Sequence, residues 1–273
     1  MNKHMVLNLI GVLVMSLMAM TIGATTLPND TFDGTVIDNN KWEVYADGGA
    51  TVTQNDKLIV STSKDYLISK GNVTSRWEFL RDFDVQVDWN IEQGWGNWLR
   101  VTQNDHLDGA VMGVSINDRS YHLTRIRFPE GYEGILLWAP SEGGWVAFRV
   151  VRAMQGQFRI ARSGVSLSFM YKIDPKDLIV DRQQEHSLLV ELLKTGIITG
   201  QEFGKLNEEL MKSYNERLKE SKRGHWQPIG KSIVVSDSSA KLYLYAGSID
   251  TYHVFVTSFD NFYINLGLTT YGK

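Results

Sequence analysis

Apolar and polar positions alternate in short runs through most of the chain. Phe83, Val85, Val87 and Trp89 interleave with Asp84, Gln86, Asp88 and Asn90, a period of two that predicts a strand with one buried face. Apolar runs over 111–116 and 121–126 flank Asn117-Asp118, and runs over 158–162 and 165–171 flank Ser163-Gly164. Both read as hairpins closed by tight turns. Leu58-Ile59-Val60 follows an Asn55-Asp56 turn in the same way. The alternation resumes at Trp226 and runs to Leu268, with Leu242 and Leu244, then Val254 and Val256, set among polar or aromatic neighbours. Repeated alternating strands with Gly, Asn and Asp turns predict a sandwich of antiparallel sheets.

One segment breaks the period. Leu188, Leu189, Leu192 and Leu193 share a helical face, and Gly196 stands where a helix would end. Thr199-Gly200-Gln201-Glu202 has the spacing of a capping box, with Ile198 and Phe203 placed as a hydrophobic staple. Leu206, Leu210, Tyr214 and Leu218 continue the apolar stripe along a second helix. A helical hairpin over 181–223 is therefore expected as an insertion in one β domain formed by 25–180 and 224–273. Its acidic and basic residues nearly balance, which fits a solvated hairpin better than a reader of nucleic acid.

The first 24 residues form another unit. One Lys and one His precede a mostly apolar run, and the small residues Gly23 and Ala24 precede a polar turn in composition. That order predicts a secretory signal peptide, hence a secreted or periplasmic protein, with an uncleaved anchor as the alternative. Nothing later is long and apolar enough to span a membrane. The leader leaves Asn29 and Asn72 as N-x-S/T sites, relevant where exported proteins are glycosylated.

Composition changes this picture mainly by exclusion. Among 273 residues, 28 Lys and Arg stand against 31 Asp and Glu, a net charge of −3, so no basic field points to nucleic acid. The absence of cysteine removes disulfides, thiolate metal sites, cysteine nucleophiles and a lipidated N-terminal Cys together. Aromatic residues reach 11%, including 8 Trp, which invites a binding role.

Several blocks resemble the concanavalin A-like lectin/glucanase superfamily of jelly rolls. Asp30-Thr31-Phe32-Asp33-Gly34-Thr35 followed by Lys41-Trp42 is similar to its opening strand. Ser75-Arg76-Trp77 through Phe83–Asp88 resembles its central pair, and Arg159–Gly164 with Phe259-Asp260-Asn261-Phe262 resembles its late hairpin and closing strand. The resemblance implies a mainly β, antiparallel jelly-roll sandwich carrying the α-helical hairpin. Within the insert, Leu192–Thr199 with Glu202-Phe203 resembles the short domain called SHOCT, which implies docking or self-association.

Catalysis finds little material. The glucanases of the resembled superfamily carry Glu-x-Asp-x-x-Glu or Glu-x-Asp-x-Glu on one strand, and no such run exists here. Asp84 and Asp88 share a strand face but lie about 13 Å apart by strand rise, whereas glycoside hydrolysis needs roughly 5 to 9.5 Å. The six histidines show no zinc-like pairing. No catalytic residue is nominated, and whether the chain is an enzyme stays open. Binding has more to offer: Trp95 and Trp98 in Gly94-Trp95-Gly96-Asn97-Trp98, Trp138, and Trp145 after Gly143-Gly144 are candidate platforms for sugar rings. Trp42, Trp77, Trp89 and Trp226 sit in strand pattern and are expected in the core. The resemblance also implies a structural Ca²⁺ held by Asp260, with carbonyls from Pro28–Asp30.

Three functions follow: a non-catalytic module binding carbohydrate or a cell-surface partner, a divergent glycoside hydrolase or polysaccharide lyase, or an assembly protein oligomerising through its hairpin.

Overall fold

A computed structural model describes residues 29–93, 109–127, 133–139, 142–248 and 254–271. The expected leader falls outside these residues, as do Trp95 and Trp98. Fifteen strands pair antiparallel throughout. They run β1 (Trp42–Asp47), β2 (Thr51–Gln54), β3 (Leu58–Ser61), β4 (Ser69–Ser75), β5 (Trp77–Gln93), β6 (Gly109–Ile116), β7 (Arg119–Arg127), β8 (Glu133–Ala139), β9 (Gly144–Val150), β10 (Gln155–Ser163) and β11 (Ser166–Lys172). Helices α1 (Pro175–Lys194) and α2 (Gly200–Lys222) follow, then β12 (Gln227–Pro228), β13 (Ile233–Val234), β14 (Ala240–Ser248) and β15 (Val256–Tyr271).

The hydrogen-bonded system divides into two ladders. The first runs β2-β3-β15-β5-β10-β11, with β12 and β13 along the far edge of β11. The second runs β1-β4-β14-β6-β7-β8-β9. Between β14 and β5 the register contains only the pair Ala240 and Phe79. Val85, Val87, Phe158 and Ile160 of the first ladder join Met112, Val114, Leu123, Leu242 and Leu244 of the second in one buried core. The protein is thus an antiparallel jelly-roll sandwich with an inserted helical hairpin.

Local chemistry explains the joints. Asn117 and Asp118 both adopt positive φ (50° and 59°), the geometry of the two-residue turn joining β6 to β7, and Gly164 does so between β10 and β11. Asp30 latches the two ends of the sandwich: its carboxylate accepts the Phe32 N–H (2.9 Å) and the Trp42 indole (2.8 Å), while its backbone bridges Phe262. Phe32, Trp77 and Phe262 then pack around the Trp42 ring with centroids 5.4 to 5.9 Å away.

The hairpin begins six residues before the expected boundary. Asp174 accepts the Lys176 N–H at 2.8 Å and Pro175 occupies the first turn, so the helix starts directly after β11. Gly196 (φ 71°) ends α1, with Ile197 N–H reaching Leu192 O (3.0 Å), and the Thr199/Glu202 capping box opens α2. Leu178 and Tyr214 join the sandwich core, and the Ser221 hydroxyl donates to Ile173 O (3.1 Å), which ties the base of the hairpin to the sheet. No helix among the described residues is long and apolar enough to cross a membrane.

Candidate functional site

Strand alternation sends every second side chain of the second ladder away from the core. Leu242 and Leu244 of β14 point inward, so Tyr243 points out; Tyr121 and Leu123 of β7 do the same for His122, and Leu137 and Ala139 of β8 for Trp138. The register then aligns these residues. Thr74 pairs with Tyr243, Tyr243 with Gly113, Gly113 with His122, His122 with Trp138, and Trp138 with Trp145. One transverse row therefore crosses six strands, and its aromatic part from β14 to β9 spans about 19 Å at the usual strand spacing.

Gly113 makes this row continuous. A Cβ there would stand 2.2 Å from the Tyr243 ring, so only glycine lets the phenol lie across β6. Tyr243 thereby meets His122 edge-on (centroids 5.6 Å apart, 84°), and His122 lies 4.9 Å from Trp138. Trp138 is half-buried, whereas Trp145 is 56% exposed at the end of the row. Gly144, at φ 107°, leaves room for the Trp138 indole nitrogen, which a Cβ would approach to 3.1 Å. The row is a line of edge-on and tilted aromatic rings that ends in a solvent-facing indole.

Two polar atoms beneath these rings lack partners among the described residues: His122 Nδ1 and, one row along, the Thr124 hydroxyl. The buried Tyr243 hydroxyl has the Ser120 side chain beside it. Burial pushes His122 down to about 4, so the imidazole is neutral near pH 7. Burial also raises the Tyr243 phenol, opposed by the nearby Ser120 hydroxyl. Between Tyr243 and Trp145 the row carries no carboxylate. The described part of this face presents indole surface at Trp145 and, in part, Trp138, and carries no acid and base pair along the row.

The outer face of the first ladder is different in kind. Arg159 clamps Asp84 with Nε–Oδ1 at 2.7 Å and Nη2–Oδ2 at 2.5 Å, while Gln157 and Asn261 donate to Asp88 at 2.6 and 2.9 Å. Trp226 belongs here rather than in the core: it is half-buried, with the Arg159 guanidinium 5.5 Å from its ring. The other three expected core tryptophans, Trp42, Trp77 and Trp89, are no more than 1% exposed.

Register also aligns Asp260, Asp88, Gln157 and Lys172. They floor a cleft of about 450 Å³ at the base of the hairpin. Burial holds Asp260 above the ordinary carboxylate range, with Asp88 and Asp33 adding to the rise and the Asn261 N–H (2.7 Å) opposing it.

Of the calcium donors expected around Asp260, Pro28 lies outside the described residues, and the carbonyls of Asn29 and Asp30 each accept a hydrogen bond. The Asp30 carbonyl accepts the Phe262 N–H at 2.8 Å, and the Asn29 carbonyl accepts the Lys41 ammonium at 2.9 Å. Among the described residues, no group of three His, Cys, Asp or Glu side chains is placed to hold a metal ion.

The structure thus joins Trp138 to Trp145, leaves Asp260 on the opposite side of the sandwich, and adds His122, Tyr243 and Gly113, which sequence reasoning did not nominate. Their signal was present as aromatic residues at outward positions of alternating strands.

No family model and no curated protein matches the chain. Solved structures resemble it distantly. A GH43 protein of Bacillus licheniformis, BlXynB, aligns at a TM-score of 0.49 and 10% identity over 88% of this chain, which spans 39% of that protein. A functionally unknown protein of Saccharomyces cerevisiae aligns at 0.45 and 10%, covering 84% of this chain and 97% of its own. The exoplasmic/lumenal domain of VIP36, in a form bound to Ca²⁺ and Man3GlcNAc, aligns at 0.42 and 11%, covering 81% and 83%.

Proposed function

We propose that this chain is a non-catalytic glycan-binding module whose platform is the Tyr243–His122–Trp138–Trp145 row. The observation that carries this reading is the register itself, which places four rings in one line across β14, β7, β8 and β9 with Gly113 cleared between them. Pyranose rings present apolar C–H faces to such a surface, and the exposed Trp145 with the half-buried Trp138 supplies the indole area to stack on them. Trp95 and Trp98, which fall between β5 and β6 in the chain, belong to the proposal as further rings.

The finer assignments belong to the same reading. The sandwich is proposed as a concanavalin A-like domain formed by the expected 25–180 and 224–273 less the six residues that α1 takes from the first part, with the hairpin from Pro175 onward as a SHOCT-like insert that can associate with itself or a partner. Residues 1–24 are proposed as a removed leader that delivers the chain outside the cytoplasm. Calcium belongs to the proposal only at Asp260, where the Asn29 and Asp30 carbonyls each already accept one hydrogen bond.

Retention on a panel of immobilised polysaccharides tests the reading. The chain should be held by at least one, and Trp145→Ala and Trp138→Ala should each release it by about tenfold or more, as expected for loss of an aromatic anchor. Retention on none, or retention untouched by both substitutions, overturns it.

A further inference from the structure

We propose that the groove between β9 and the helical hairpin binds an extended, uncharged peptide segment of a partner protein by strand addition. β9 ends its ladder, and its only paired neighbour among the described residues is β8. Val151 donates to Glu133 O at 3.1 Å, and a Cβ on Gly134 would meet the Arg149 carbonyl at 2.3 Å, so residues 149 and 151 turn their backbone toward β8. The alternation of an antiparallel ladder then turns the Val150 N–H and C=O to the open edge.

That edge faces an apolar wall. Phe148 and Val150 of β9, Leu188 and Leu189 of α1, and Leu206 and Leu210 of α2 enclose a groove of about 390 Å³. Leu206 is 37% exposed, so part of the hairpin stripe is left uncovered. An open strand edge beside an apolar trough is the arrangement that accepts an added strand: main-chain bonds hold the peptide, and its alternate side chains enter the trough.

Charge selects the occupant. Glu185 and Glu209 line the groove with Arg149 and Arg217, and the two signs cancel. Arg217 gives Nη2 to Glu185 at 3.0 Å, while its Nε and Nη1 are buried without acceptors. A lining whose charges cancel favours a segment that brings no net charge of its own. The Arg149 guanidinium folds onto the Phe148 carbonyl at 3.2 Å, a local cap that an incoming strand would displace.

Fluorescence anisotropy of the full chain with labelled octapeptides tests this. The panel consists of acetylated, C-terminally amidated peptides that alternate Val or Leu with Thr or Ser. Some members should bind saturably. Val150→Pro deletes the outward N–H at an edge where proline is tolerated, and should weaken them about tenfold or more. Leu206→Glu, a substitution at a partly exposed helix position, should weaken them comparably, while far-UV circular dichroism of both variants stays that of the wild type. The proposal is overturned if no octapeptide binds, if Val150→Pro binds as well as the wild type, or if the wild type sediments as a dimer that Val150→Pro dissociates without any peptide being bound. That last result would assign the edge to a second copy of this chain.

Discussion

His122 should make the sandwich lose stability in mild acid through a single identifiable group. Its folded pKa is lowered to about 4 from the ordinary histidine value of 6.5, and the cause is burial. A base whose folded pKa is depressed binds its proton more readily in the unfolded chain. Stability therefore rises with pH between about 4 and 6.5, is fully present above that window, and is lost as the pH falls through it. With those two values the loss attributable to His122 is about 1.4 kcal/mol at pH 5.5 and about 2.6 kcal/mol at pH 4.5. Urea unfolding of the wild type and of His122→Phe across pH 4.5 to 7.5 isolates this group, because carboxylates common to both chains cancel in the difference. Phenylalanine keeps an aromatic ring between Tyr243 and Trp138 and removes the partnerless Nδ1. The stability of the wild type relative to the variant should fall by about the stated amounts on acidification. A difference that stays flat with pH would refute the burial of a neutral imidazole at this position.

Gly113→Ala should disturb binding more than folding. The new Cβ would force the Tyr243 ring off β6, costing its edge contact with His122 (about 0.5–1.5 kcal/mol), while alanine offsets up to about 1 kcal/mol through reduced chain entropy. Urea unfolding should change little and polysaccharide retention should fall; the reverse pattern would remove Gly113 from the site. Thr199→Ala should destabilise the hairpin by about 1 kcal/mol, because the threonine oxygen accepts the Glu202 N–H in the capping box. Hydrogen exchange at the first turn of α2 reads this directly, and unchanged protection would contradict it. Dialysis against a chelator should leave the melting temperature where it was, since no group of three His, Cys, Asp or Glu side chains among the described residues is placed to hold a metal ion and the Asn29 and Asp30 carbonyls accept bonds from Lys41 and Phe262; a clear drop would restore a structural metal.

The strands were legible in the sequence because each is a local pattern. The alternation over Phe83–Asn90 appears as β5, and the Asn117-Asp118 and Ser163-Gly164 turns close hairpins where they were expected. Caps are local too, which is why Gly196 and the Thr199 box were found where they stand. The beginning of α1 was missed because Asp174-Pro175 follows β11 with no intervening loop to announce a change of period. The row across the second ladder was legible only in part. Alternation marks Tyr243 and His122 as outward-facing, but their adjacency depends on β14 inserting between β4 and β6, strands far apart in the chain. Trp226 shows the same limit from the other side: a tryptophan at the start of a strand-like run was expected inside, and the register of β12 instead sets it beside Arg159.

The two outer faces of the sandwich divide along a physical line that explains why the binding role is assigned to one of them. On the first ladder, the most prominent carboxylates are already answered: Asp84 by a forked Arg159, Asp88 by two amide side chains. A charged group held this way is stabilised by its own neighbours and would have to break strong bonds before engaging a ligand. On the second ladder, aromatic rings lie beside His122 Nδ1 and the Thr124 hydroxyl, buried without partners among the described residues, an arrangement that costs stability. Gly113 points the same way: a larger residue would ordinarily strengthen a strand, yet here it would collide with Tyr243 and interrupt the row. That contrast, a line of rings kept unbroken at a cost in strand propensity against a face of carboxylates already paired, is why the proposed platform is placed on the second ladder.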